Sequence, residues 1–242
     1  MLKVRKVLVV ACTILLVLAL GSLAASAKGF QLGEIKVGVG GAYGSLTISD
    51  HDEDEVTDTT LPLISVNGSF QALPRLKLLA GYAFGTKTLD DSDDWGNYWY
   101  LYRNLDIAAA FALTDNIDLV AGYTRFISGF TDDYEENKEI GGGFKAGVAA
   151  RLPLAKGLWA EAGYAFMPHM TAVTLCDEEE YYNYSGQGHE IKAGLEYITG
   201  FGLGVALGFR TESYTGVSDC CQDYHHNLAG FSGGTLNLSY RF

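Results

Sequence analysis

The chain ends in "TLNLSYRF", residues 235–242, and this stretch decides the fold. Leu236, Leu238, Tyr240 and Phe242 alternate with Thr235, Asn237, Ser239 and Arg241. A period of two belongs to β-strand, whose successive side chains point to opposite faces, whereas a helix repeats every 3.6 or so residues. The pattern recurs upstream. Leu76, Leu78, Ala80, Tyr82 and Phe84 alternate with Lys77, Leu79, Gly81 and Ala83, and Ile191, Ala193, Leu195 and Tyr197 with Glu190, Lys192, Gly194 and Glu196. In each run one face is apolar and the other polar or small.

These runs belong to a repeat. "LLAGYAF" (78–84), "LVAGYTRF" (119–126) and "AEAGYAF" (160–166) set Gly81, Gly122 and Gly163 41 residues apart, and "VALGFR" (205–210) is a weaker fourth copy. Each copy follows a short turn and precedes a long acidic segment, the signature of a hairpin array. Alternation predicts ten strands near 33–48, 61–72, 75–87, 98–113, 116–128, 139–152, 158–170, 187–198, 201–214 and 229–242. Four tight turns alternate with five longer connections near 49–60, 88–97, 129–138, 171–186 and 215–228. That alternation fits an antiparallel up-and-down barrel of ten strands, eight or twelve being the outcome if a hairpin is misread.

Residues 1–27 are expected to be a cleavable export signal. Lys3, Arg5 and Lys6 precede an apolar run at 7–20, and "ASA" at 25–27 closes it with small residues. Residues 28–242 would then form a single barrel domain in an oxidising space. The net charge of −12 argues against nucleic acid, which is bound by neutralising phosphates.

Strand length and charge choose the environment. Runs of this length exceed the usual 5–6 or so residues and suit a tilted membrane crossing. The polar faces carry Lys36, Arg75, Lys77, Lys145, Arg151, Lys192, Arg210 and Arg241 against Glu34, Asp106, Asp118, Glu161, Glu190, Glu196 and Glu212. A dry core could not hold so many ions, each costing several kcal/mol or so to bury. A narrow lumen laced with ion pairs could, with the apolar face turned to lipid. Lys36, Lys77, Asp106, Asp118, Lys145, Glu161, Lys192, Arg210 and Arg241 are the expected lumen network. Tyr82, Phe84, Tyr123, Tyr164, Phe166, Tyr197 and Phe209 are expected at the long-loop ends of their strands, as an interfacial girdle. The glycine runs at 36–41, 141–144 and 231–234 are expected to leave room for Lys and Arg stems.

With the export signal, the final strand with Tyr240 and Phe242 resembles the C-terminal assembly signal of small bacterial outer-membrane β-barrel proteins. The resemblance covers the whole exported chain. It implies an outer-membrane address, outer-membrane lipid around the barrel, and periplasmic chaperones and barrel-assembly machinery as partners in biogenesis. It implies no particular activity.

The long loops hold the candidates for chemistry. Asp50, Asp52, Glu53, Asp54, Asp91, Asp93, Asp94, Asp132, Asp133, Asp177 and Glu178 gather carboxylates of the kind that take Ca²⁺ or Mg²⁺. The same acidity also reads as a solvated, self-repelling surface. No other cofactor is expected. Cys176 can pair with Cys220 or Cys221 as a disulfide. The alternative is a soft-metal set with His225, His226, Asp219 and Asp223, without the spaced cysteine pair that would make it specific. Asp91 and Asp93, with Asp223 and His225, resemble the paired-Asp and Asp–His elements of the omptin outer-membrane proteases. Here the Asp–His pair lies in the last loop, out of the family's order. The expectation is a non-enzymatic barrel with acidic, aromatic-rich loops ("DWGNYWYLY", 94–102; "YYNY", 181–184), serving envelope integrity or surface interaction such as adhesion. A narrow pore is the alternative and a rim protease the second.

Overall fold

The computed structural model describes residues 34–49, 56–90, 97–131, 136–176, 179–218 and 225–242. Ten strands run in chain order. The first five are β1 (Ile35–Ser49), β2 (Val56–Leu73), β3 (Leu76–Asp90), β4 (Asn97–Ala112) and β5 (Ile117–Thr131). The second five are β6 (Glu136–Ala155), β7 (Leu158–Cys176), β8 (Glu179–Ile198), β9 (Leu203–Ser218) and β10 (His225–Arg241). Each pairs antiparallel with its sequence neighbours, and β1 pairs with β10 to close the barrel. The seam is in continuous register from Lys36↔Arg241 to Thr47↔Gly230. No edge strand is left over among the ten, as a sheet in lipid requires, although β2 and β3 pair only from Ile64↔Phe84 down to Leu73↔Leu76.

The turns explain one end of the barrel, hereafter the lower end. Leu113 N–H donates to Ile117 O at 2.9 Å, and Asn116 N–H donates to the Thr114 hydroxyl at 3.2 Å. Thr199 Oγ1 donates to Leu203 O and accepts from Leu203 N–H, both at 3.0 Å. Gly157 and Gly202 take φ of 78° and 92°, where a Cβ would be strained. The upper end differs from expectation. Strands extend well beyond the predicted limits, so 171–176 and 179–186 belong to β7 and β8 rather than to a loop. Thr171, Val173, Thr174, Tyr182 and Tyr184 are β-formers, and each has a ladder partner that sustains the strand outside any apolar belt.

The barrel is inside-out in polarity. Leu78, Ile107, Leu119, Val148, Leu195, Leu207 and Leu238 face outward and are exposed. Tyr43, Tyr82, Tyr123, Phe144 and Tyr164 ring the upper boundary of this surface, and Tyr197, Phe201 and Phe242 the lower. Tyr197 is therefore a correction: β8 descends, so Tyr197 sits one residue before a turn, paired with Leu158. Arg75 is another. It lies in the exposed β2–β3 turn rather than on the lumen face. The glycine runs also do a different job. A Cβ at Gly38, Gly40, Gly141 or Gly143 would strike Asn67, Asn237, Phe126 or Met167 respectively, not a Lys or Arg stem.

Candidate functional site

The lumen is the site the described residues build, and it has three levels. At the lower level Glu196 of β8, 1% exposed, is a hub. It accepts from Lys36 Nζ at 2.5 Å, Arg151 Nη2 at 2.7 Å, Arg241 Nη2 at 3.2 Å and Ser239 Oγ at 3.4 Å. Lys36 and Arg241 are direct partners across the closing seam, a like-charge pairing that disfavours closure unless neutralised. Glu196 supplies that neutralisation from across the lumen. Gly204 makes room for it, since a Cβ there would lie 2.5 Å from Ser239 Oγ and 3.1 Å from Glu196 Oε1. Arg151 also meets Glu161 at 2.9 Å and stacks over Trp159 at 4.4 Å, while Arg241 reaches Glu34 at 3.3 Å. Lys77 and Asp118 form a looser, more exposed pair at 3.7 Å.

At the middle level Lys145 Nζ donates to Asp106 Oδ2 at 2.8 Å and Glu190 Oε2 at 2.5 Å. Lys192 pairs with Glu190 and lies 3.9 Å from Asp106. Arg210 joins Glu190 at 3.7 Å to Glu212 at 2.5 Å. Every member of the expected lumen network thus points inward and has an oppositely charged partner. Buried ions of this kind are tolerable only when so paired and hydrogen-bonded.

The upper level was not foreseen. Glu212 accepts from the Tyr102 hydroxyl and from Asn104 Nδ2 at 3.1 Å. Asn104 also donates to Tyr214 Oη at 3.1 Å, and Tyr214 stacks on Phe126 with centroids 4.2 Å apart. Met167, Met170, Tyr184 and Leu228 pack around that stack, and Leu46, Leu61, Leu63 and Tyr100 around Tyr102 and Phe231. These side chains plug the bore. Below them a cavity of about 580 Å³ reaches the lower end past Asp115 and Asn116, roofed by Leu63, Asn104 and Phe231. A void lined by Thr124, Lys145, Met167, Glu190 and Tyr214 holds only about 10 Å³, less than about one water needs. The signal was present in the sequence: Tyr100, Tyr102, Phe126, Tyr214 and Phe231 sit at lumen parity, against the rule that the lumen face is polar.

Glu139 lies beyond Phe144 on β6, buried beside Ser128, whose hydroxyl donates to it at 3.4 Å. Burial pushes its carboxyl well above the usual range, and the Ser128 contact only partly opposes this. Three cations missed from the sequence face outward instead: Arg103, Arg125 and Lys138, on β4, β5 and β6. Their parity with Leu105, Tyr123 and Phe144 was the signal.

The acidic candidates Asp50, Asp52, Glu53, Asp54, Asp91, Asp93, Asp94, Asp132, Asp133, Asp177 and Glu178 lie outside the described residues, as do Cys220, Cys221 and Asp223. Cys176 ends β7, and the side chains of Cys176 and His225 are likewise outside what is described. Among the described residues no three His, Cys, Asp or Glu side chains converge as a metal site.

No family model matches the chain, and no curated protein matches it in sequence. Solved structures do match. The outer-membrane protease OmpT from Escherichia coli superposes with a TM-score of 0.58 at 10% identity, covering 90% of this chain and 100% of that one. Neisserial surface protein A gives 0.45 at 8% identity, over 87% and 99%. The attachment invasion locus protein Ail of Yersinia pestis gives 0.38 at 10% identity, over 87% and 99%. The first of these establishes the fold as that of bacterial outer-membrane barrels. At such identity it carries nothing about activity.

Proposed function

We propose that this chain is a non-enzymatic barrel of the bacterial outer membrane that contributes to envelope integrity and presents its acidic, aromatic-rich loops for surface contact such as adhesion. The observation that carries this reading is the plug. A packed layer around Phe126, Tyr214, Tyr102 and Phe231, with the Glu212 cluster beneath it, fills the bore above an ion-paired lower lumen. Such a layer offers solutes neither a wet path nor a row of free polar groups, and its loss would cost the packing of several large side chains. The outward apolar belt supports the membrane address, because a charge placed there would cost about 2–4 kcal/mol at mid-depth.

The test is conductance. The refolded barrel in a planar bilayer should give no discrete open-channel steps, and reproducible steps would instead favour a pore using the lower cavity as its inner half. The protease reading would need Asp91, Asp93, Asp223 and His225 to meet across the upper rim. Incubation of the refolded barrel with a peptide library should leave it uncut. Cleavage lost on Asp93→Ala or His225→Ala would replace the non-enzymatic reading.

A further inference from the structure

Three cations of the described strands, Arg103, Arg125 and Lys138, face outward. They lie on adjacent strands, β4, β5 and β6, at the upper margin of the aromatic boundary. Arg125 is the next outward residue above Tyr123, and Arg103 pairs in register with Phe84, above the level of Tyr82. Arg103 and Arg125 are diagonal neighbours, because Arg103 faces Ile127 and Arg125 faces Leu105. Diagonal pairs of this kind stand roughly 7–8 Å apart, within reach of one bidentate anion or two adjacent ones. Lys138 already has a partner within the protein. Arg103 and Arg125 have none among the described residues, in a chain of net charge −12, whereas Lys36, Lys77, Lys145, Arg151, Lys192, Arg210 and Arg241 in the lumen each meet a carboxylate.

The register partner of Arg125 on β6 is Gly142, a buried position where a Cβ would lie 2.5 Å from Thr124 O, 3.0 Å from Tyr123 Oη and 3.2 Å from Arg125 Cα. Tyr123 Oη and the Arg125 backbone thus both close over this glycine. Two exposed guanidiniums with no partner among the described residues, beside a tyrosine hydroxyl, form an anion-seeking surface. It stands where an apolar belt gives way to the headgroup layer.

We infer that Arg103 and Arg125 bind the phosphate groups of a phosphorylated lipid in the outer leaflet, with Tyr123 and Phe144 against its acyl chains. The inference rests on the outward face being in lipid. Guanidinium is suited to this because its planar donors meet phosphate in pairs, and such charge-assisted bonds are about twice as strong as neutral ones. At the interface a charge costs far less than at mid-depth, so binding need not offset a mid-membrane penalty.

The test uses the full refolded barrel in nonionic detergent and a bisphosphorylated glycolipid, its dephosphorylated counterpart and inorganic phosphate as probes, read by native mass spectrometry. Arg103→Gln/Arg125→Gln should weaken binding of the phosphorylated lipid by about ten- to a hundredfold and leave the dephosphorylated one unchanged. The charge-matched pair Arg75→Gln/Lys156→Gln, at the exposed lower turns, should bind as the unmodified protein does. Arg103→Lys/Arg125→Lys should retain part of the affinity. Equal affinities for all variants would overturn the inference, and so would equal losses at both ends. Complete displacement by inorganic phosphate would mean a free-anion site rather than a lipid site. A double variant that is less stable in nonionic detergent yet binds lipid normally would show that loop carboxylates hold these arginines. Each variant is also inserted into neutral bilayers and checked by heat-modifiable gel shift. Failure of that step would count against the membrane barrel itself and is separate from loss of phosphate binding.

Discussion

Substituting Glu196→Gln tests whether the lower lumen holds the barrel seam shut. The change keeps volume and hydrogen-bonding atoms but removes the charge that Lys36, Arg151 and Arg241 share. Breaking a fully buried ion pair costs about 3–5 kcal/mol. The three cations are between 20% and 28% exposed, so solvent screens part of that, and about 2–3 kcal/mol remains. For a urea slope of about 2 kcal/mol per molar the midpoint should fall by about 1 M. Asp118→Asn provides the contrast. Its pair with Lys77 is 3.7 Å long and the lysine is nearly half exposed, so the loss should stay below about 0.5 kcal/mol. Equilibrium unfolding in detergent micelles, followed by tryptophan fluorescence and gel shift, measures both. The double variant Lys36→Met/Glu196→Gln should recover part of the loss, because it removes one of the two like charges facing each other at Lys36↔Arg241. A Glu196→Gln midpoint within error of the unmodified protein would refute this reasoning. So would an equal loss for Asp118→Asn.

Other expectations follow from the same levels. Because the folded-state pKa of Glu139 is raised, its stability contribution is full below the unfolded value and is lost as pH rises. Glu139→Gln should therefore raise the urea midpoint relative to the unmodified barrel at about pH 8 and leave it equal at about pH 3. An unchanged difference between the two pH values would contradict that linkage. Phe126→Ala/Tyr214→Ala removes the stacked centre of the plug and should cost about 3–5 kcal/mol or more, while giving conductance steps in planar bilayers that the unmodified barrel lacks. Gly204→Leu should displace Glu196 and Ser239 and lower the midpoint, whereas Gly200→Leu, with nothing near its Cβ, should not.

Much of this architecture was legible in the chain. Period-two alternation and the regular spacing of Gly81, Gly122 and Gly163 determined strand, strand number and up-and-down order, because a strand's two faces are written locally in its residues. Charges concentrated on one face of long strands indicated that the inside would be polar and the outside would face lipid. Strand ends above the belt were less legible, since Thr171 to Tyr184 alternate weakly and are held by neighbouring strands rather than by an apolar surface.

What only the tertiary structure decided is which side chains meet. Lys36 and Glu196 are 160 residues apart, and Tyr102 and Glu212 are 110 apart. Parity says that each points inward, but height along the bore depends on the register of every pairing around the barrel, including the shifts at Phe144/Ala146 and Met167/Met170. Those offsets accumulate around the closed sheet. They place three cations on Glu196 and stack Phe126 on Tyr214 into a plug. A period of two carries no information about that sum, so the sequence determined which face each residue occupies and closure of the barrel determined what it touches.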